Sequence, residues 1–208
     1  MRAFLAIDLP DAARDALARA QDDLRRRLGD DQVGWSPREN WHLTLVFLGQ
    51  VDAPAPVIDA ARAVCAASAP LDLALGPLGT FGGRVLWAAV EGPGLAGLVA
   101  LAGDLARALA PLGIAFDDRP YSPHLTLGRV RDPTKGRRGK PPRGRPPGVA
   151  AAVRAAAPPT PVTFRAGEVV LFESRLSPPR PATYLAHAHL PLGAGGGDTR
   201  QDHAADPR

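Results

Sequence analysis

The tetrapeptide His-Leu-Thr-Leu stands at His42–Leu45 and again at His124–Leu127. The chain has five histidines, and two of them share this one frame. Strand geometry turns the repeat into a constraint on the fold. Side chains along a β-strand alternate faces, so the His and Thr of each copy point the same way, roughly 6–7 Å apart at about 3.3 Å per residue. The two leucines point the other way, toward a core. Each copy therefore presents an imidazole and a hydroxyl from an apolar-backed strand. Two copies facing one another would make a site with two imidazoles and two hydroxyls.

The surroundings of the two copies are themselves similar. Ala3–Leu9 reads as a strand, and Pro10 and Asp11 open a helix whose apolar positions run from Ala13 to Leu28 at helical spacing, with Gly29 as the stop. Trp41–Leu48 is the first motif strand. Pro56–Ala69 reads as a second helix. Leu71–Leu75 and Val85–Val90 read as strands joined by a turn-rich connection over Gly76–Arg84. Leu95 to Leu112 marks a third helix, followed by a short strand at Ile114–Asp117 and the second motif strand, His124–Val130. Val162–Ser174 and Thr183–Leu190 read as late strands. Strand, helix and motif strand thus occur twice, over 3–48 and 85–130. The expected architecture is a duplicated α+β unit: two lobes related by a pseudo-twofold, with the motif strands at their junction.

One cysteine, Cys65, leaves no internal disulfide and no cysteine metal site; in its Ala-rich helical setting it reads as a buried structural thiol. Nothing in Met1–Pro10 resembles a secretory leader, and no stretch approaches the length of a membrane span, so a cytoplasmic soluble protein is expected. The net charge of +4 is unevenly placed. Residues 131–148 carry seven Lys or Arg and one acid, a local +6 that leaves −2 for the rest. Residues 131–161, rich in Pro, Gly, Arg and Ala, read as a flexible basic insert, and 193–208 as a disordered tail; neither has the apolar surface to offset its conformational entropy. The domain is then 1–192 with that insert. The insert either binds RNA phosphates by counterion release or reflects compositional drift.

Two imidazoles titrating near neutrality can hold opposite protonation states, one taking a proton while the other gives one. That suits phosphodiester displacement, in which the attacking oxygen loses a proton and the leaving oxygen gains one. Threonine hydroxyls can donate to non-bridging phosphoryl oxygens. No Asp or Glu adjoins either motif on its own strand face, and Thr is a poor zinc ligand, so no metal or other cofactor is called for.

The paired motifs, the opening Met-Arg-Ala-Phe-Leu-Ala-Ile-Asp-Leu-Pro, and the runs Asn40-Trp-His-Leu-Thr-Leu-Val-Phe-Leu-Gly49 and Arg119-Pro-Tyr-Ser-Pro-His-Leu-Thr-Leu-Gly-Arg129 closely resemble the two-histidine (2H) phosphoesterase superfamily. Its bacterial RNA 2′,3′-cyclic phosphodiesterase branch, long called 2′-5′ RNA ligase, is the nearest match. The resemblance covers about residues 1–130 and returns near Val169–Leu190. It implies a bilobal LigT-like fold with a central cleft between antiparallel sheets, helices outside, and metal-independent attack of water on a terminal 2′,3′-cyclic phosphate to leave a 2′-phosphate. By position His42 resembles the proton donor to the departing 3′-oxygen, His124 the base that activates water, and Thr44 and Thr126 the phosphate ligands. Arg129 is a candidate phosphate contact. Its offset of five from His124 puts it on the opposite face unless the strand bends. The insert departs from the short connection usual in relatives.

Implied partners are RNA or oligonucleotide ends bearing the cyclic phosphate, with no membrane and no obligate protein partner; a monomer is expected. Trp35, Trp41 and Tyr121 flank the motifs and either stack on a base or pack in the core or rim. His187 and His189 share a strand face and read either as a metal pair or as half-exposed imidazoles on a late strand, while the tail His203 has no assigned role. Alternative substrates are a small cyclic nucleotide or ADP-ribose cyclic phosphate. The chemistry could also run in reverse as a 2′-5′ ligase, and a non-catalytic RNA-end-binding protein is the rival from another class.

Overall fold

The computed structural model describes residues 1–114, 120–131, 148–176 and 181–193. In chain order these form β1 (Arg2–Asp8), α1 (Asp11–Leu28), β2 (Val33–Trp35), β3 (His42–Gln50), α2 (Pro54–Ala67), β4 (Leu71–Phe81), β5 (Val85–Glu91), α3 (Leu95–Leu109), β6 (His124–Val130), α4 (Val149–Ala155), β7 (Thr163–Ala166), β8 (Glu168–Arg175) and β9 (Thr183–Pro191). All strand pairings are antiparallel, in the order β7-β4-β5-β6-β3-β1-β8-β9, with β2 added beside β6. Each motif strand pairs with the first strand of its own strand–helix–strand unit, β3 with β1 and β6 with β5.

The two halves, β7-β4-β5-β6 and β3-β1-β8-β9, meet at a single matched residue pair, Leu43 opposite Leu125. The motif strands therefore lie side by side at the middle of one continuous curled sheet. The expected bilobal arrangement of antiparallel sheets about a central cleft holds, and its two half-sheets are joined at this pair, so the cleft is the concave face they share. Leu43 and Leu125 are fully buried on the other face, in a core shared with Leu5, Ile7, Leu17 and Leu105.

Gln21 is the one polar side chain buried among the described residues. Its Nε2 donates to the carbonyls of Ser36 and Leu127, both at 2.9 Å, tying α1 to the approach to the first motif and to the second motif strand. Gln21→Leu is expected to cost about 1–3 kcal/mol in denaturant unfolding, the range for a buried group left without its partner. An unchanged midpoint would show the tie to be dispensable.

Several expectations need correction. The Gly76–Arg84 connection is mostly strand: β4 runs to Phe81, and only Gly82–Arg84 turns into β5. Val162–Ser174 is two strands broken at Gly167. The insert read as flexible contains α4, whose Val149 and Val153 lie one helical turn apart and are buried. The backbone N–H of Ala157 just beyond it donates to Asp23 of α1 at 3.0 Å. Residues 132–147, most of the expected Ile114–Asp117 strand, and 194–208 lie outside the described residues. Leu95–Leu112 does reach the length and apolarity of a membrane span, with mean hydropathy 1.5. Its Leu98, Leu101, Leu105 and Leu109 are buried in the core.

Candidate active site

Burial alternates through both motifs: His42 and Thr44 are half-buried between buried Leu43 and Leu45, and His124 and Thr126 likewise between Leu125 and Leu127. Antiparallel pairing at Leu43–Leu125 carries His42 toward Thr126 and Thr44 toward His124. The four side chains form two crossed His–Thr pairs on the concave face.

Each imidazole is oriented by the same local device. His42 Nδ1 donates to the Asn40 carbonyl at 2.8 Å, and His124 Nδ1 donates to the Ser122 carbonyl at 2.7 Å. A carbonyl can only accept, so in both rings Nδ1 carries hydrogen and Nε2 is left for chemistry in the neutral state. Around His42 the walls are aromatic: Phe4 stacks on the ring at 4.6 Å between centroids, and Tyr184 meets it edge-on at 5.1 Å. His124 has Phe81 edge-on at 4.9 Å.

The His42 imidazole is strongly perturbed by its surroundings. Burial pushes the His42 imidazole down to about 4, against the Asn40 carbonyl and the Asp8 carboxylate, which favour its charged form; Arg14 and His124 push the same way as burial. Asp8 lies directly across the strand pair from His42 and is held by Arg14, whose other nitrogens donate to the carbonyls of Leu9 at 3.0 Å and Arg38 at 2.6 Å. Reading along the motif strands alone missed Asp8, because it sits on the neighbouring strand.

Arg129 does reach the cleft face, and the reason is a β-bulge. Between Gly128 and Thr126 the motif strand advances two residues while β5 advances one, from Leu86 to Trp87. Leu127 is the extra residue, so Leu127 and Gly128 are buried in succession and the alternation shifts by one. Arg129 then pairs with Val85 as Thr126 pairs with Trp87 and His124 with Ala89, all on one face. Gly128 is needed there, since a Cβ would lie 2.8 Å from Val33 Cγ1 and 3.1 Å from the Trp35 ring. β3 carries the matching bulge at Leu45, which puts Phe47 on the cleft face at the same offset from His42. Phe47 is 64% exposed. A shared frame of five residues after each histidine was the signal for both residues.

The flanking aromatics singled out from sequence fall elsewhere. Trp41 is 1% exposed and belongs to the core. Trp35 packs beside Gly128 under the Arg25 guanidinium, 5.5 Å from its ring centroid. Tyr121 donates its hydroxyl to the Thr44 carbonyl at 2.8 Å, bracing the first motif, and burial raises its pKa. Tyr184, which went unremarked, closes the cleft beside His42; burial raises its pKa, with Arg129 and Arg2 opposing. His187 and His189 reach different carboxylates, Glu173 at 3.1 Å and Glu168 at 3.0 Å, and do not form a metal pair. Cys65 is fully buried, and burial pushes its thiol up to about 11. Among the described residues no three His, Cys, Asp or Glu side chains converge to hold a metal ion.

A duplicated strand–helix–strand unit with paired His-x-Thr side chains on one concave sheet face defines a two-histidine phosphoesterase fold and site. The family model described as the 2′-5′ RNA ligase superfamily matches residues 9–178, and the chain belongs to that family. It is 39% identical over 132 residues to an RNA 2′,3′-cyclic phosphodiesterase of Geobacillus stearothermophilus, a match spanning 61% of this chain and 41% of that protein. A Methanothermobacter thermautotrophicus protein of the same name is 34% identical over 142 residues, 64% of this chain and 73% of its own length. Among solved structures, E. coli LigT complexed with 3′-AMP is similar with a TM-score of 0.66 at 25% identity, over 92% of this chain and 97% of that one.

Proposed function

We propose that the protein hydrolyses a terminal 2′,3′-cyclic phosphate on RNA or oligonucleotides to a 2′-phosphate, using the two histidines as acid and base without a metal. The observation that carries this reading is the crossed pair of His–Thr sets at Leu43–Leu125, each imidazole held by its Nδ1 with Nε2 left for chemistry. Relatives named for this reaction support the substrate class.

The cyclic phosphate sits over the motif junction, its non-bridging oxygens taking hydrogen bonds from Thr44 and Thr126 and charge from Arg129. His124 Nε2 takes a proton from water as the water oxygen bonds to phosphorus. The P–O3′ bond breaks, and His42 Nε2 gives its proton to the departing 3′-oxygen. The base of the terminal nucleoside lies toward exposed Phe47 and Tyr184, on the His42 side. Arg2 and Arg129 flank Tyr184 and offer charge to the preceding phosphates. An RNA substrate is in keeping with a cytoplasmic enzyme, and the two motifs come from one chain, in keeping with a monomer.

Product analysis on an RNA ending in a 2′,3′-cyclic phosphate tests the reading. A 2′-phosphate is expected. A 3′-phosphate would reverse the leaving oxygen and with it the acid and base assignments, and an unchanged cyclic end would remove the activity.

A further inference from the structure

The proton donor is seated on a turn that is pinned at both ends. His42 is oriented through the Asn40 carbonyl, and Asn40 closes a short helical turn, Arg38–Asn40, on the approach to β3. Arg14 of α1 holds the start of that turn. Its Nη1 donates to the Arg38 carbonyl at 2.6 Å and its Nε to the Leu9 carbonyl at 3.0 Å, while Nη2 pairs with Asp8. One planar fork thus ties the turn to the end of β1, where Asp8 lies across the strand pair from His42. The Arg14 side chain is 11% exposed, so these bonds are sheltered from competing water. Asn40 holds the end of the turn, its Nδ2 donating to the Ala182 carbonyl at 2.6 Å. Ala182 immediately precedes β9 and stands two residues before Tyr184, whose ring meets His42 edge-on. Asn40 therefore grips the imidazole with its main chain and the strand of the aromatic wall with its side chain.

We infer that Arg14 and Asn40 are positioning residues for the proton donor, holding the Asn40 carbonyl, and through it the His42 ring, in the plane that aims Nε2 at the departing oxygen. This rests on the proposed cyclic phosphodiesterase reading and adds to it two residues whose side chains touch neither the phosphate nor the attacking water. They differ from the ion pairs nearby. Arg38 reaches Asp11 and Asp15 from an exposed side chain, where such pairs contribute little. The Arg14 fork reaches main-chain oxygens and needs its shape as well as its charge. A ring released from its carbonyl can swing out of line, whereas substrate binding rests on Thr44, Thr126 and Arg129. A misplacement of about 1 Å in one reacting group costs up to roughly a hundredfold in rate. The loss should fall on kcat.

Steady-state kinetics of Arg14→Met and Asn40→Leu on adenosine 2′,3′-cyclic phosphate test it, with the imidazole N–H proton signals as a second readout. Both substitutions roughly keep side-chain volume and leave the Asn40 carbonyl in place. Each should lower kcat about ten- to a hundredfold, with KM within about twofold of wild type. The Nδ1–H signal of His42 should exchange faster with water, while that of His124, seated on the Ser122 carbonyl, keeps its wild-type rate. Arg14→Lys retains the charge without the fork and should resemble Arg14→Met. An unchanged kcat in Asn40→Leu, or full activity in Arg14→Lys, would overturn the assignment. So would the two histidine signals loosening together, which marks a general effect on the fold. If Arg14→Met does not fold, Asn40→Leu decides. A wild type inactive on the cyclic mononucleotide would instead fail the parent reading.

Discussion

Replacing either His42 or His124 by alanine should reduce turnover of a 2′,3′-cyclic nucleotide by on the order of 10²–10⁴-fold, the range for removing a positioned general acid or base. The double variant should be little worse than the single ones, since an acid and a base acting on the same displacement fail together. Wild type should remain fully active in EDTA. The structural reason is that the nearest candidates among the described residues are engaged elsewhere: Asp8 is committed to Arg14, and Tyr121 donates its hydroxyl to the Thr44 carbonyl. Both imidazoles are half-buried at the sheet surface and not in the helix-covered core, so truncation leaves the fold intact and thermal unfolding midpoints should stay close to wild type. Rates that return only on adding a divalent metal would refute the mechanism. A loss confined to one histidine would leave a single-base site, and the duplicated motif would then need another explanation.

Much of this site could be read from alternation alone. His42, Thr44, His124 and Thr126 lie on one face of two strands because the period of a strand is two, and Leu43 and Leu125 fill the core for the same reason. What alternation could not supply is pairing. A sequence carries no direct mark of which strand lies beside which, so side-by-side motifs and motifs facing across a gap looked alike. Bulges were hidden for a related reason. The extra residues at Leu45 and Leu127 are ordinary leucines, and only the partner strand shows that they are unmatched. That one-residue slip moved Arg129 and Phe47 onto the working face. Glycine misled in β4, where Gly76 and Gly79 looked like turn residues. At Gly79 the missing Cβ makes room for Trp87 within a strand. Helix α4 escaped because only Val149 and Val153 stand out in an Ala- and Arg-rich run. Two valines one turn apart suffice once α1 and β4 are there to receive them.

In the ligand-free protein His42 should titrate near pH 4, and binding of a nucleoside 2′-phosphate should raise that value, observable in the imidazole NMR signals. The depression comes first from burial among Phe4 and Tyr184, which withholds water from the imidazolium. A proton donor in that setting is uncharged at neutral pH until something replaces the missing solvation, and the phosphate anion does so. Binding near pH 5 should therefore take up a proton, seen as a heat that changes with the ionisation enthalpy of the buffer, and His42→Gln should abolish most of that uptake. The same shift has a sign for stability. The folded state holds His42 neutral down to about pH 4, whereas the unfolded chain takes its proton near 6.5. Stability from this group is complete above the unfolded value and is lost as pH falls from there toward 4, by roughly 1.4 kcal/mol per unit at most. His42→Gln should flatten that part of the stability profile. An uptake unchanged in His42→Gln, or a His42 signal titrating near 6.5 in the free protein, would mean that the aromatic wall does not control the acid. The charge of the donor would then be set before the substrate arrives.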